Sequence, residues 1–158
     1  MDRVKRKAFD AYKAFGPIVE CPDCDLRPPG SIAFDFAPMG NTLKEGDTYT
    51  FTSGAESWGG WSNNNVAVYP LTLPEDKVIT FRGSVPDGVD ANVHFRFEYS
   101  AWPDTEPSFT TDAVTVSGSD EATYTIAVPA QGANTFSSFL MYITERDVGV
   151  VVQDVAIS

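Results

Sequence analysis

The sequence predicts an all-β domain, an antiparallel β-sandwich or jelly roll over residues 31–158, preceded by a helical arm and an irregular strap over residues 1–30. Three observations carry this. After Gly30 the chain consists of short runs of β-branched and aromatic residues punctuated by Gly, Pro, Asn and Asp, the texture of many short strands joined by turns. Several of these runs alternate apolar and polar residues with a period of two. A chain of 158 residues that is 42% hydrophobic and 13% aromatic has material for one ordinary core, and a second folded domain would have to be very small.

From Asp2 to Phe15 the apolar residues Val4, Ala8, Ala11, Tyr12 and Phe15 recur at three- and four-residue steps, with Arg3, Lys5, Arg6, Lys7 and Lys13 between them. That spacing predicts an amphipathic helix of about four turns, ended by Gly16-Pro17. Ile18 to Gly30, with Pro22, Pro28 and Pro29, reads as an irregular strap. A helix this short is marginal alone in water. The stripe Val4, Ala8, Tyr12 and Phe15 is therefore expected to anchor the chain, on its own sandwich or on other protein subunits, in a homo-oligomer or a larger assembly. The opening Met1 to Lys7 carries the charges of a signal peptide, but Ala8-Phe9-Asp10-Ala11-Tyr12-Lys13 interrupts any apolar stretch, so no secretion signal is expected. No run is long and apolar enough for a membrane span, so no membrane insertion is expected. Cys21 and Cys24, in Cys-Pro-Asp-Cys, are half of a tetrahedral thiolate site. A reduced pair, a local disulfide and a zinc shared between subunits all stay open.

Within the sandwich, strands are expected at 31–36, 48–52, 66–69, 78–84, 92–99, 113–117, 123–128, 137–144 and 149–157. In Val93-His94-Phe95-Arg96-Phe97-Glu98-Tyr99 the odd positions face a core and His94, Arg96 and Glu98 a polar surface. In Phe139-Leu140-Met141-Tyr142-Ile143 both faces are apolar, so this strand is central or its second face lines a groove. The closing run Val150 to Ile157 carries a bulge signal at Gln153-Asp154.

Charge restricts the partners. Residues 31–158 hold five Lys or Arg against seventeen Asp or Glu, a net of −12. Such a surface repels phosphate backbones, so no nucleic acid is expected as a partner. The lone His94 has no companions for metal ligation or base catalysis. No nucleophile elbow, zinc-protease motif or phosphate loop occurs, and no carboxylate sits in a motif that singles it out. The chain is therefore expected not to be an enzyme.

The candidate binding features are aromatic. Trp58 and Trp61 lie in the Gly- and Asn-rich stretch Glu56 to Asn65, and Trp102 lies in Ser100-Ala101-Trp102-Pro103, directly after the strand that carries Arg96 and Glu98. Flat rings with amides nearby suit stacking on sugar faces and hydrogen bonding to hydroxyls, whereas the alternative is that the rings plug the sandwich ends. A structural calcium ion near Asp35 and Asp154 is a further expectation, and no other cofactor is implied.

The order of Trp58-Gly-Gly-Trp61, Val-Ile-Thr-Phe-Arg-Gly-Ser-Val-Pro-Asp-Gly at 78–88, Val-His-Phe-Arg-Phe-Glu at 93–98, Tyr-Thr-Ile-Ala-Val-Pro-Ala at 124–130 and Val-Val-Val-Gln-Asp-Val-Ala-Ile at 150–157 resembles the jelly-roll carbohydrate-binding modules. The resemblance implies a non-catalytic module that binds a glycan or cell-surface polysaccharide through aromatic platforms, often with a structural calcium. By position it implies Trp58, Trp61, Arg96, Glu98, Trp102 and Tyr142 as ligand-binding residues. The N-terminal arm departs from that family. An arm anchoring a displayed sandwich resembles bacteriophage decoration and fibre-type proteins, which implies an attachment module at a virion surface or in an extracellular setting. The rival expectations are a module from a secreted polysaccharide-degrading system, a purely structural capsid cement protein, and a small polysaccharide-active enzyme.

Overall fold

The computed structural model describes residues 33–158, and they form two packed antiparallel sheets. The arm, with Val4, Ala8, Tyr12 and Phe15, the strap and the Cys21/Cys24 pair lie outside the described residues. The strands are β1 (Phe36–Met39), β2 (Leu43–Glu45), β3 (Thr48–Thr50), β4 (Gly60–Asn63), β5 (Leu71–Thr72), β6 (Lys77–Ser84), β7 (Ala91–Glu98), β8 (Ser108–Thr110), β9 (Val114–Val116), β10 (Ala122–Val128), β11 (Thr135–Phe136), β12 (Ser138–Ile143) and β13 (Gly149–Ile157).

The first sheet runs β1-β4-β12-β7-β8, with β9 on the same edge of β7 as β8. The second runs β10-β6-β13-β3-β2, and β5 pairs with β11 in a small separate ribbon. The fold class expected from the sequence is the one observed. Inward-facing Phe36, Trp61, Phe95, Phe97, Phe139 and Met141 of the first sheet pack with Tyr49, Ile79, Phe81, Val150 and Val152 of the second in a single buried cluster. The cross-strand pair Phe139 and Phe97 brings two rings to a centroid distance of 4.7 Å, and Phe95 stacks on Phe139 at 5.5 Å. Burial of rings this size is the main source of stability in such a sandwich.

Several expectations need correction. The run at 66–69 is not a strand but a 3₁₀ turn, Val66–Val68, because the Asn65 side chain accepts from the Ala67 amide and closes the chain on itself. The first strand begins at Phe36 and extends to Met39. Residues 60–63, read as loop, form β4, which lies between β1 and β12. Tyr99 does not continue the buried row of β7: the strand ends at Glu98, and the Tyr99 amide turns to the carbonyls of Thr105 and Pro107. The bulge at Gln153-Asp154 is present, with a register shift before Ala156 and Asp154 at φ 56°.

Candidate functional site

Alternation along β4, β7 and β12 sends one set of side chains to the core and the other to the outer face of the first sheet. Since Trp61, Phe97, Phe139 and Met141 point inward, Ser62, Glu98, Ser138, Leu140 and Tyr142 point outward, and they floor a cleft of about 680 Å³. Met39 of β1 completes the floor. The walls come from two loops: Trp58 from the β3–β4 connection, and Ala101 with Trp102 from the β7–β8 connection.

Each aromatic group of the cleft has a specific support. Trp58 is 60% exposed, yet one edge of its ring lies against Gly40, where a Cβ would come within 2.9 Å of Cζ3. Gly40 has φ 71° and so occupies the left-handed region as well. Tyr142 lies over Gly60, where a Cβ would stand 2.6 Å from Cδ1 and 2.7 Å from the Met141 carbonyl. On its other side Tyr142 stacks on its cross-strand partner His94, with centroids 5.3 Å apart and planes at 19°. Trp102 is 84% exposed. A large ring so placed leaves apolar surface in water unless a ligand covers it.

Polar groups are few and well held. The Glu98 carboxylate accepts from Arg96 Nε at 2.8 Å and from Ser138 Oγ at 3.0 Å. Arg96 also donates to Thr110 Oγ1, Ser108 Oγ and Glu106. Burial pushes the Tyr142 hydroxyl above its ordinary pKa, with Glu98 adding to the rise and Arg96 opposing it. Burial likewise lowers the pKa of His94, so the imidazole beneath Tyr142 is neutral near pH 7.

Of the residues singled out from the sequence, Trp58, Glu98, Trp102 and Tyr142 come together on this cleft. Trp61 does not. It is fully buried in β4, edge-on to Tyr49 at 5.4 Å, with Nε1 donating to the Leu43 carbonyl. Gly59-Gly60 lets the chain pass from the exposed loop into the strand, so two tryptophans three residues apart have opposite surroundings. Arg96 is not among the residues that line the cleft: on the same face of β7, its guanidinium holds Glu98 from the β8 side.

Two of the three asparagines after Trp61, Asn63 and Asn65, are structural. Asn63 is buried and binds the Asp35 and Asn65 amides, and Asn65 Nδ2 donates to the Ala33 carbonyl. The two carboxylates near which a calcium ion is expected have different surroundings. Asp35 precedes β1 of the first sheet, 3.7 Å from Lys44 Nζ, whereas Asp154 lies in the second sheet and binds Arg82. Among the described residues no group of three or more His, Cys, Asp or Glu side chains is placed to hold a metal ion. Sequence reasoning missed Met39, Ser62, Ala101, Ser138 and Leu140. The apolar second face of β12 was the signal for Leu140, and Ser62 becomes visible once Trp61 is set inward.

No protein-family model matches the sequence, and no curated protein matches it. Solved structures do match. A Clostridium thermocellum endo-1,4-β-D-xylanase fragment, made of a family 22 carbohydrate-binding module and a catalytic module and complexed with xylohexaose, is similar over 70% of this chain at 11% identity with a TM-score of 0.50. The chain spans 21% of that protein's length. The sandwich has the fold of carbohydrate-binding modules. Also similar are a xylan-binding domain from Paenibacillus barcinonensis, at 16% identity and a TM-score of 0.47 over 78% of this chain and 79% of that one, and a family 29 carbohydrate-binding module from Piromyces equi, at 14% identity and 0.48 over 78% of each chain.

Proposed function

We propose that this chain is a non-catalytic carbohydrate-binding module whose cleft takes a neutral glycan chain against Trp58, Trp102 and Tyr142. The observation that carries the reading is that the two most exposed tryptophans, from separate loops, line one cleft with Tyr142 and an anchored carboxylate. Pyranose rings with equatorial substituents present apolar C–H faces to such aromatic surfaces, and Glu98, Ser62 and Ser138 supply acceptors and donors for hydroxyls. A neutral ligand follows from charge: no basic side chain lines the cleft, and of the five described Lys and Arg residues Lys44, Arg82, Arg96 and Arg146 are engaged with carboxylates or carbonyls. Glu98 is the one carboxylate among the lining residues, whereas glycoside hydrolysis generally uses a facing pair, which favours binding over cleavage.

The test is isothermal titration calorimetry against soluble xylan, mixed-linkage glucan and mannan, with polygalacturonate as the acidic counterpart. Binding to at least one neutral polymer is expected, with Trp58→Ala and Trp102→Ala each weakening it by about tenfold, equivalent to about 1.4 kcal/mol. Failure of the wild type to bind any of the neutral polymers, or binding untouched by both substitutions, would sink the reading. Release of reducing sugar from a bound polymer would overturn the non-catalytic assignment. Attachment of the sandwich to a larger assembly, a virion or another extracellular complex, belongs to residues 1–30. Deleting them leaves glycan binding intact and abolishes assembly if that part of the reading holds.

A further inference from the structure

The β12–β13 turn, which contributes no residue to the cleft lining, makes a set of contacts that the glycan reading leaves unexplained. The Arg146 guanidinium lies 4.1 Å from the centroid of the Phe51 ring. Its Nη1 donates to the carbonyls of Thr52 at 2.8 Å and Ala55 at 2.9 Å, with the Ser53 carbonyl at 3.4 Å. Asp147, at φ 62°, accepts the Ser53 amide on Oδ1 at 2.8 Å and donates its own amide to the Phe51 carbonyl at 2.8 Å. Two consecutive residues of one turn thus bind the backbone of 51–55 at five points. A planar cation with two N–H groups on one nitrogen, stacked on an aromatic ring, suits convergent carbonyls in a way a lysine does not.

That backbone leads directly to Trp58. The Ala55 amide closes onto the Thr52 carbonyl, the Glu56 amide donates to the Gly40 carbonyl at 2.9 Å, and the Gly59 amide closes onto the Glu56 carbonyl. Gly40 is the residue against which the Trp58 ring edge rests. The chain of contacts runs from the Arg146 fork through the 52–55 carbonyls to Glu56, Gly40 and the ring.

We infer that Arg146, seconded by Asp147, is the positioning residue for Trp58: it freezes the β3–β4 loop so that an exposed indole stands ready as a wall of the cleft. This rests on the glycan reading for its purpose, though not for its physical content. An exposed ring on a mobile loop loses entropy when it stacks on a ligand, and a loop tied down in advance has already lost it.

The experiment separates the two. In a Trp102→Phe background the emitters are Trp58 and the buried Trp61, and a Trp58→Phe control isolates the Trp61 component. Time-resolved anisotropy of Arg146→Ala in that background is expected to show about a twofold rise in the amplitude of nanosecond motion of Trp58. Arg146→Lys, which keeps the charge without the fork, is expected to fall between, and it decides the matter if the alanine variant does not fold by near-ultraviolet circular dichroism. Unchanged Trp58 motion in a folded variant overturns the inference, whatever the glycan result. With xylohexaose as probe, Arg146→Ala weakens binding about fivefold but adds no loss in a Trp58→Ala background. Loss of the same size in both backgrounds would mean Arg146 does not act through Trp58 and would overturn the inference as well. If wild type binds no glycan, the proposed function fails while the anisotropy still judges the role of Arg146.

Discussion

At the residue scale, the site depends on positions where the absence of a side chain is the requirement. Gly60 faces outward from β4, opposite Tyr142, and the ring occupies the space its Cβ would take. Gly60→Ala is expected to displace Tyr142 from the cleft floor, to weaken glycan binding, and to cost about 1–3 kcal/mol of stability through overpacking against β12. Urea melts and calorimetry read the two effects separately; a variant as stable as wild type with intact binding would refute the argument. The three tryptophans offer a matching contrast. Trp61→Ala should cost about 3–5 kcal/mol by opening the core, whereas Trp58→Ala and Trp102→Ala should move stability little and affinity much. A melting midpoint for Trp61→Ala equal to that of Trp102→Ala would contradict the contrast between a buried Trp61 and an exposed Trp102.

At the scale of elements, the polar cluster after β4 determines where strands start and stop. Asn63 satisfies the amides of Asp35 and Asn65, and the Tyr69 hydroxyl donates to the Asn63 carbonyl and accepts the Phe139 amide. Three segments, the approach to β1, the 3₁₀ turn and the start of β12, therefore meet at one buried asparagine and one tyrosine. Removing Asn63 as Asn63→Ala leaves those amides without acceptors and is expected to cost about 2–3 kcal/mol, against about 1 kcal/mol for Tyr69→Phe. Chemical denaturation ranks them. A smaller loss for Asn63→Ala than for Tyr69→Phe would show that water replaces the asparagine without penalty. Sequence patterning read this stretch as a loop with ligand-facing amides because Gly59, Gly60 and three asparagines carry turn chemistry. The amides of Asn63 and Asn65 close backbone instead, and only the pairing of β4 with β1 and β12 reveals it.

At the scale of the whole molecule, buried and half-buried titratable groups make stability depend on pH at both ends of the range. Tyr49 is pushed up to about 12, first by burial and then by Asp47 and Asp35, and Tyr69 and Tyr142 are also raised by burial. A raised folded pKa means the unfolded chain ionises first. These tyrosines thus contribute stability that is fully present below pH 10 and is lost as pH climbs toward about 12. The melting temperature should fall steeply across that window, and Tyr49→Phe should shallow the fall. His94 acts at the opposite end: its folded pKa lies below the ordinary 6.5, so its contribution is complete above that value and is lost as pH drops through the lower folded pKa. The excess of acids over bases in the sandwich should also make any contact with uronate-bearing polymers weaker at low ionic strength, where repulsion is least screened.

Legible in the sequence were the fold class, the inward row Val93, Phe95 and Phe97 of β7, the bulge in β13 and the acidity of the surface. Those follow from local period and composition, which a strand expresses without help from distant residues. Tertiary structure decided the rest. Trp58 and Trp61 share one Gly-rich stretch, and nothing within it says which ring enters the core; that depends on β4 finding its register with Met141 on β12. Arg96 supports Glu98 instead of lining the cleft because Glu98 on β7 and Ser108 and Thr110 on β8 engage its guanidinium. Asp35 and Asp154 were separated by the sorting of strands between sheets. For Trp61 the deciding contact joins residues some eighty positions apart in the chain, and for Arg96 it crosses from β7 to β8; surroundings, rather than residue type, assign the role.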